Sequence, residues 1–361
     1  MFGTKLDLAS GKSTTPSGLV GKISRAKYPA LTEEEEAMSR PLSTICQAAF
    51  DLILVHMLDT IGGGAHKAKW QPMRQDMCSA LNSRKSQRTL GILSRAYRDS
   101  DVIFLQEVSS AMVGSLRSHP FFEREYSIFV APNDGKRDQI SLALLSKKRF
   151  DPNSVKPLTA SFDELLVQAG GKVPVAPGDV LAMSATDVRS GKPFLLASFH
   201  GDTDGLATVP VVQTMTRLAE KHFGSSILSG SYNYVFGMDA NTYAVGSKKQ
   251  QGVAEFATEF KTLGLTSCWG DSPDPNNITT FNARTYLQPQ LNKAVAFRDL
   301  EAPGTGDKNP KDFILFNRNA FTVSSTVKDN TGKKHYVEKQ PFPTLTFPSD
   351  HGILSTVLKV L

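Results

Sequence analysis

The feature that most constrains this chain is a series of short apolar segments of strand length, spread from residue 51 to residue 358. Two pairs of segments are joined by short polar connections and predict two β-hairpins: 125–132 with 139–146, and 180–188 with 194–200. Asn133, Asp134 and Gly135 in the first connection are typical hairpin-turn residues. Successive hairpins favour mixed or antiparallel sheets. The other predicted strands are 51–59, 101–107, 234–239, 312–316, 320–327 and 352–358.

Helices are predicted between several of these strands. Apolar residues recur at helical spacing in 73–97, 211–223 and 253–263, and Gly224 is placed to end the second of these helices. Nearer the N-terminus, Thr32 and Glu35 have the spacing of a capping box. The acidic run that begins at Glu33 therefore favours a helix start over a metal site. This mixture of strands and helices predicts an α/β protein.

The distribution of residues along the chain predicts one large layered domain. Residues 45–361 contain no repeat, no long linker and no change of composition, so they are predicted to form a single domain. Residues 1–44 are predicted to be an N-terminal arm with a short helix. With 40% hydrophobic residues among 361, the chain can bury a large core, which excludes collagen, a coiled coil and global disorder.

Charge and cysteine content limit the class of protein further. The formal net charge is +6 and the pI is about 9.1, a mild excess that suits an anionic partner such as nucleic acid without requiring one. Three cysteines without a CxxC spacing favour a reducing compartment. No segment approaches the ~18 apolar residues of a membrane span, and the first residues lack the apolar run of a secretory signal. We therefore expect a cytoplasmic or nuclear location.

Polar residues end or open five of the predicted strands, where a simple apolar core would not need them. Burial of an unpaired carboxylate costs several kcal/mol, so carboxylates at strand ends require a cation, a partner or water. Carboxylate and amide oxygens suit a hard ion, Mg²⁺ first and Mn²⁺ or Ca²⁺ next. Zinc is disfavoured because the chain has no HExxH motif and no cysteine cluster. The strand-end residues are Glu107, His200, Asp239 with Asn241, Asp312, and Asp350 with His351.

Each of these residues also has an ordinary structural explanation. Glu107 alone could form a strand-end salt bridge, and His200 alone could be a hydrogen-bonded core histidine. Asp239 and Asn241 could form an Asx turn. The ordered set is much harder to obtain by chance, and it favours phosphoester chemistry at a divalent metal.

The motifs that contain these residues resemble those of the endonuclease/exonuclease/phosphatase superfamily, and they occur in the same order. The resemblance covers about residues 50–361. It implies a four-layer α/β sandwich, in which two packed mixed β-sheets are flanked by helices and the active site lies at one end of the sheets. The motifs are LQE (105–107), SFH (198–200), GMDAN (237–241), DFIL (312–315) and PSDHGIL (348–354).

The resemblance implies a role for each catalytic residue. Asp239 would orient or deprotonate the attacking water, and Asn241 would hold the phosphate and that water. His351, paired with Asp312, would contact a non-bridging phosphate oxygen. His200 corresponds to the histidine that many members use beside the phosphate.

The resemblance also implies the metal ligands, with one departure from the family pattern. Glu107 would be a principal ligand, and Asp350 an acid near the metal. The family usually has an asparagine at the end of its first strand, where this chain has Met57 and, two residues on, Asp59. Because methionine binds hard Mg²⁺ poorly, either Asp59 takes the role or the alignment is shifted. A weakened or absent activity therefore remains an alternative.

Two loops are expected at the active-site end, where they would contact the substrate. They are 62–70 and 279–285, and the alternative is that both are simply solvated surface loops. The candidate substrate-binding residues are Lys67, Lys69, Trp70, Asn282 and Arg284.

The hypothesis from sequence is a Mg²⁺-dependent phosphoesterase that acts on a phosphodiester such as DNA or RNA. The alternatives are a phosphatase for a small-molecule or lipid phosphate, and a catalytically silent family member used for binding. The oligomeric state is left open.

Overall fold

The computed structural model describes residues 6–7, 13–15, 18, 23–26, 28–61, 72, 75–77, 79–170, 173–282 and 307–361. The chain divides into two compact units, Met1–Met77 and Cys78–Leu361. In the described part of the chain, no helix combines the length and apolar character that a membrane crossing requires.

The main element of the N-terminal unit is the helix α1, Glu33–Ile61. Its capping box is formed as predicted, since the Thr32 amide donates to Glu35 Oε2 (2.8 Å) and the Glu35 amide donates to Thr32 Oγ1 (3.1 Å). The predicted domain boundary after residue 44 falls inside this helix. The unit also contains two short antiparallel strands, β1 (Leu6–Asp7) and β2 (Ser13–Thr14).

The strand predicted over 51–59 is wrong, because these residues belong to α1. A short apolar run fits a strand and an apolar stretch of helix equally well by its pattern. Here the capped helix continues through the run because helix propagation costs little once the first turn is formed. The structure thus turns the expected first strand into helix.

The C-terminal unit contains the other predicted strands and helices. Of the helix predicted over 73–97, residues Lys85–Ala96 form an α-helix, and a π-helical turn at Ser79–Ser83 precedes it. The helices are α2 (Lys85–Ala96), α3 (Ser110–Ser118), α4 (Pro120–Glu125), α5 (Thr159–Gln168), α6 (Thr208–Phe223) and α7 (Val253–Thr262). The strands are β3 (Val102–Val108), β4 (Tyr126–Val130), β5 (Ile140–Ser146), β6 (Lys156–Pro157), β7 (Val180–Thr186), β8 (Pro193–His200), β9 (Asn233–Asp239), β10 (Leu265–Ser267), β11 (Thr280–Asn282), β12 (Asp307–Asn309), β13 (Asp312–Asn317), β14 (Phe321–Asp329) and β15 (Ile353–Val360).

The larger sheet is mixed and has the strand order β10-β13-β9-β8-β7-β6. Its one parallel pair is β8 with β9, connected through α6, and the other pairs are antiparallel. The second layer consists of two antiparallel pieces, β3-β5-β4 and β14-β15. Both predicted hairpins, β4 with β5 and β7 with β8, are present. Among the described residues, the second layer is therefore two pieces instead of one mixed sheet.

Three apolar clusters define four layers. In β8, Leu195 and Phe199 face the cluster shared with α5, α6 and α7, whereas Leu196 faces the cluster between the sheets. In β5, Leu144 faces the cluster shared with α2, α3 and α4, whereas Leu145 faces the cluster between the sheets. This alternation follows from the two-residue period of a strand. The predicted sandwich of two packed sheets flanked by helices is confirmed.

Candidate functional site

The registers of β8, β9 and β13 bring three predicted site residues into one row. His200 is the neighbour of Asp239 across the parallel pair, and Asp312 is its neighbour across the antiparallel pair. Because paired residues of adjacent strands point to the same side, the three side chains share one face. The same face carries Gly237, next to which Phe104 of the other sheet packs, so the row lies between the two sheets at one end.

Glu107 faces this row from β3. A register shift between Leu105 and Val108 marks a β-bulge, and Glu107 has φ 54°, an unusual value for a residue with a side chain. Bulges change the direction of a side chain near functional sites. Here Glu107 Oε1 lies 3.3 Å from Nε2 of His200. The bulge thus brings a side chain of β3 into contact with the end of β8 in the other sheet.

His351 enters the site from the turn before β15. Its Nδ1 lies 3.0 and 3.1 Å from the two carboxylate oxygens of Asp312, and its Nε2 lies 3.6 Å from Asp239 Oδ2. The pairing of His351 with Asp312 that the resemblance implies is therefore present as a contact. Thr279 fixes the start of β13, since its hydroxyl oxygen accepts from the amides of Lys311 and Asp312.

Asn241 is held on every side by protein groups. Its backbone amide donates to Asp239 Oδ1 (2.9 Å), which is the Asx turn considered above, and its φ is 49°. Its Nδ2 donates to Asp239 Oδ2 and to the carbonyl of Gly201, while its Oδ1 accepts from Nζ of Lys311. Lys311 is itself buried. The turn thus positions Asp239 and places a buried ammonium beside it.

The electrostatics of the site favour protonated histidines. Burial opposes protonation of His351, but Asp312 and Asp239 outweigh it and raise its pKa to about 10. Burial also opposes protonation of His200, but hydrogen bonds to Asp179 and Glu107 raise its pKa to about 9. Burial raises the pKa of Asp239, although the neighbouring cations act in the opposite direction. The hydrogen bond from His200 lowers the pKa of Glu107.

Sequence reasoning missed two residues of the site. Asp179, which precedes β7, is buried and lies 3.5 Å from Nδ1 of His200. Lys311 directly precedes the predicted Asp312 at the start of β13, and its Nζ donates to Oδ1 of Asn241. An acid directly before the apolar strand at 180–186 was the available signal for Asp179, because it follows the same strand-end rule as Glu107.

The remaining predicted site residues are found in other places. Asp59 and Met57 lie on α1, in the N-terminal unit, and not at the end of a strand as expected. Asp350 adjoins His351 and contributes to the rise of its pKa. Asn282 ends β11. The substrate-binding candidates Lys67, Lys69, Trp70 and Arg284 lie outside the described residues.

The described side chains fit a metal ion. One ligand atom from each of Asp239, Asp312 and His351 lies within 4.8 Å of the others, and Glu107 faces them with a half-exposed carboxylate. The carboxylate oxygens match a hard divalent cation better than a soft one.

One comparison with known protein families matches only the N-terminal part of the chain. A family model described as a domain of unknown function (DUF8234) matches residues 1–75, close to the span of the N-terminal unit. No curated protein matches the sequence.

Solved structures similar to the chain include the following three. An endonuclease/exonuclease/phosphatase from Bacteroides vulgatus is 13% identical with a TM-score of 0.49, covering 78% of this chain and 94% of that one. The human nocturnin catalytic domain with bound sulfate is 14% identical with a TM-score of 0.48, covering 77% and 87%. D. rerio TDP2 complexed with a single-strand DNA product is 14% identical with a TM-score of 0.45, covering 77% and 92%.

Proposed function

We propose that this protein is a divalent-metal-dependent phosphoesterase that hydrolyses a phosphodiester such as DNA or RNA. The observation that carries the proposal is the row of His200, Asp239 and Asp312 facing Glu107 across the gap between the two sheets. Three carboxylates, two imidazoles and a buried ammonium within one strand-end cluster match the needs of in-line attack at phosphorus.

Asp239 is the candidate general base or water-orienting group. Burial raises the pKa of its carboxylate, which makes it a stronger base than an exposed aspartate. The Asx turn to Asn241 fixes the Asp239 carboxylate. In this arrangement, Asp239 takes a proton from water while its orientation is held by the turn.

His351 and His200 are the candidate stabilisers of the transition state. Their pKa values of about 10 and about 9 keep both imidazoles protonated at neutral pH. Asp312 engages Nδ1 of His351, so Nε2 remains directed at the row that contains Asp239. Two imidazoliums on this face would contact non-bridging phosphate oxygens as negative charge develops.

Mg²⁺ or Mn²⁺ would be held by Glu107 together with Asp350. When bound, a divalent ion supplies neutralisation of charge on the phosphate and on the leaving oxygen. The choice of Mg²⁺ rests on the hard oxygen donors of these residues.

A binding role without catalysis is the second candidate, and one observation favours it. Asp59, which the resemblance offers in place of the family's usual asparagine, lies on a helix instead of at the end of a first strand. A site with fewer carboxylate ligands would bind a divalent ion more weakly, and a phosphate-binding protein needs no turnover.

The test is a comparison of bis-p-nitrophenyl phosphate with p-nitrophenyl phosphate, in EDTA and after Mg²⁺ is added back. We expect turnover of the diester only with the metal. Asp239→Asn should lower kcat by about 10²- to 10⁴-fold, the usual contribution of a general base. Glu107→Gln should raise the Mg²⁺ concentration needed for half-maximal rate, because an anionic ligand is lost. Glu164→Gln, on the exposed face of α5, is the control.

The outcomes separate the candidates. Preference for the monoester would support a phosphatase. Metal-dependent binding of a phosphodiester without any hydrolysis would support the silent binding protein. Turnover that is unchanged in EDTA, or in Asp239→Asn, would contradict the proposed mechanism.

A further inference from the structure

Five side chains at the active-site end form a closed ring of polar contacts. Glu107 Oε1 is approached by His200 Nε2 at 3.3 Å and accepts from Gln139 Nε2 at 3.4 Å. Gln139 Oε1 accepts from Arg137 Nη2 (2.8 Å), and Arg137 Nη1 donates to Asp179 Oδ1 (3.1 Å). Asp179 Oδ1 lies 3.5 Å from His200 Nδ1, which closes the ring.

The ring decides the orientation of two side chains that are otherwise ambiguous. The guanidinium of Arg137 has only donors, so the Gln139 amide must turn its oxygen to Arg137 and its nitrogen to Glu107. The carboxylate of Asp179 is an acceptor, so Nδ1 of His200 must carry a proton and Nε2 is left for the row. Arg137 therefore sets the orientation of Gln139, which contacts Glu107, and contacts Asp179, which faces His200.

The ring joins the two sheets. Glu107 and Gln139 belong to the layer of β3 and β5, whereas Asp179 and His200 belong to the layer of β7 and β8. The backbone of Asp179 also connects the two layers. Its carbonyl accepts from the amide of His200 on β8 (3.0 Å) and from the hydroxyl of Ser141 on β5 (2.7 Å). The distance between the two sheet ends is thus held at the position of the site.

The segment that carries Arg137 is itself fixed. Asn133 Nδ2 donates to the carbonyl of Arg137 (2.7 Å), and Asp138 accepts from the amide of Ser110 at the start of α3. Gly178 has φ 94°, and a Cβ there would lie 2.9 Å from the carbonyl oxygen of Gln139. These contacts therefore fix the turn that carries Arg137.

We propose that Arg137 and Gln139 are positioning residues, which hold Glu107 directly and His200 through Asp179 in the geometry that the metal and the phosphate require. The role given to the ring rests on the proposed function, whereas the contacts that form the ring do not depend on it. Residues that orient a metal ligand typically change metal affinity or activity by about 10- to 100-fold when they are removed.

The chain offers a matched control at the opposite end of the same strands. Arg149, after β5, contacts Asp187, after β7, at 3.0 Å, and this ion pair is also largely buried. It connects the same two layers as Arg137 and Asp179 but lies away from Glu107. A merely structural role of such a pair would therefore appear equally in both arginine variants.

The experiment measures Mn²⁺ binding without substrate by electron paramagnetic resonance, with thermal unfolding in parallel. We expect Arg137→Met and Gln139→Leu to raise the Mn²⁺ Kd by about tenfold or more. Arg149→Met should lower Tm while leaving the Kd unchanged. Arg137→Lys should behave like Arg137→Met, because a single ammonium cannot replace the forked contact to Asp179 and Gln139.

A second measurement does not depend on metal or turnover. Long-range ¹H–¹⁵N correlation spectra of the wild type should show His200 with a proton on Nδ1, and Arg137→Met should shift these resonances. Any one of three results would overturn the inference. The first is a folded Arg137→Met protein with wild-type affinity for Mn²⁺, and the second is full Mn²⁺ affinity in Arg137→Lys. The third is a wild-type His200 that carries no proton on Nδ1. Wild-type protein that binds Mn²⁺ but hydrolyses no phosphoester would refute the proposed function alone. If the wild type binds no Mn²⁺, the His200 resonances decide the inference.

Discussion

His351 and Asp312 are 39 residues apart in the sequence, yet their side chains are in contact at 3.0 Å. The contact depends on the turn before β15 reaching the first residue of β13. Because the carboxylate of Asp312 raises the pKa of His351 and fixes its ring, the two residues have one shared role at residue scale. Shared roles have a measurable consequence in double variants.

Asp312→Ala and His351→Ala should each lower kcat/KM on a phosphodiester, and the double variant should lose about as much as either single variant. Groups that act as a unit are strongly non-additive, since the second removal has little left to remove. The measurement is kcat/KM for the three variants with the metal saturating. Losses that multiply would show that the two residues act independently.

Asp329 is a buried carboxylate with a stabilising role away from the site. Its Oδ1 accepts from the amides of Thr331 and Gly332, and its Oδ2 accepts from the amide of Lys334 and from the hydroxyl of Tyr97 (2.7 Å). Burial opposes ionisation, but these hydrogen bonds outweigh it and lower the pKa of Asp329. A lowered pKa stabilises the fold above the unfolded pKa of about 3.9, and the contribution is lost as pH falls towards the folded pKa.

Asp329→Asn should therefore reduce the free energy of unfolding at pH 7 by about 1–3 kcal/mol, because buried donors lose an anionic acceptor. The difference from wild type should shrink as the pH falls below about 4, where the Asp329 carboxyl of the unfolded chain becomes protonated first, and it should be smallest below the lowered folded pKa. Urea unfolding at both pH values measures it. Tyr97→Phe, which removes one donor, should cost less, and a difference independent of pH would contradict the assignment.

At the scale of elements, the close approach of the two sheets at Gly237 decides where the site forms. A Cβ on Gly237 would lie 2.3 Å from Cδ2 of Phe104 on β3. The glycine of GMDAN therefore serves packing, since it lets β9 and β3 come close enough for Glu107 to face Asp239. The β-bulge then directs Glu107 to His200.

Gly237→Ala should destabilise the protein by about 1–3 kcal/mol, because the added methyl group overpacks the space between the sheets. It should also lower activity, since the ends of both sheets would move apart. Gly114→Ala is the control, because a Cβ at Gly114 on α3 meets nothing within 4 Å and a helical alanine is favoured by about 0.5–1 kcal/mol. Thermal unfolding of both variants tests this, and an unaffected Gly237→Ala would show that Phe104 moves aside freely.

At the scale of the whole molecule, the C-terminal unit has an apolar core of its own. Among the described residues, its three apolar clusters extend from Leu90 to Leu358. The unit begins at Cys78. We therefore expect the C-terminal unit to fold without the N-terminal unit.

A fragment of residues 78–361 should therefore unfold cooperatively, with a clear thermal transition in circular dichroism. A fragment of residues 98–361 should not, because it removes Leu90, Ile92, Leu93 and Tyr97 from the cluster under α2. Loss of several fully buried apolar side chains costs several kcal/mol, which is comparable to the stability of a whole domain. A fragment 78–361 without a transition would contradict the self-contained core.

The sequence by itself determined the strands of five or more residues, their hairpins and the polar residues at their ends, because a two-residue alternation and turn-forming residues are local properties. It also determined the capping box at Thr32, but it left the apolar run at 51–59 undecided between strand and helix, and the prediction of a strand was wrong. Only the tertiary structure decided that His200, Asp239 and Asp312 share one row, because register depends on pairing between distant segments. It alone revealed Arg137 and Gln139 beside the site, since contacts between two sheets leave no pattern along a single strand.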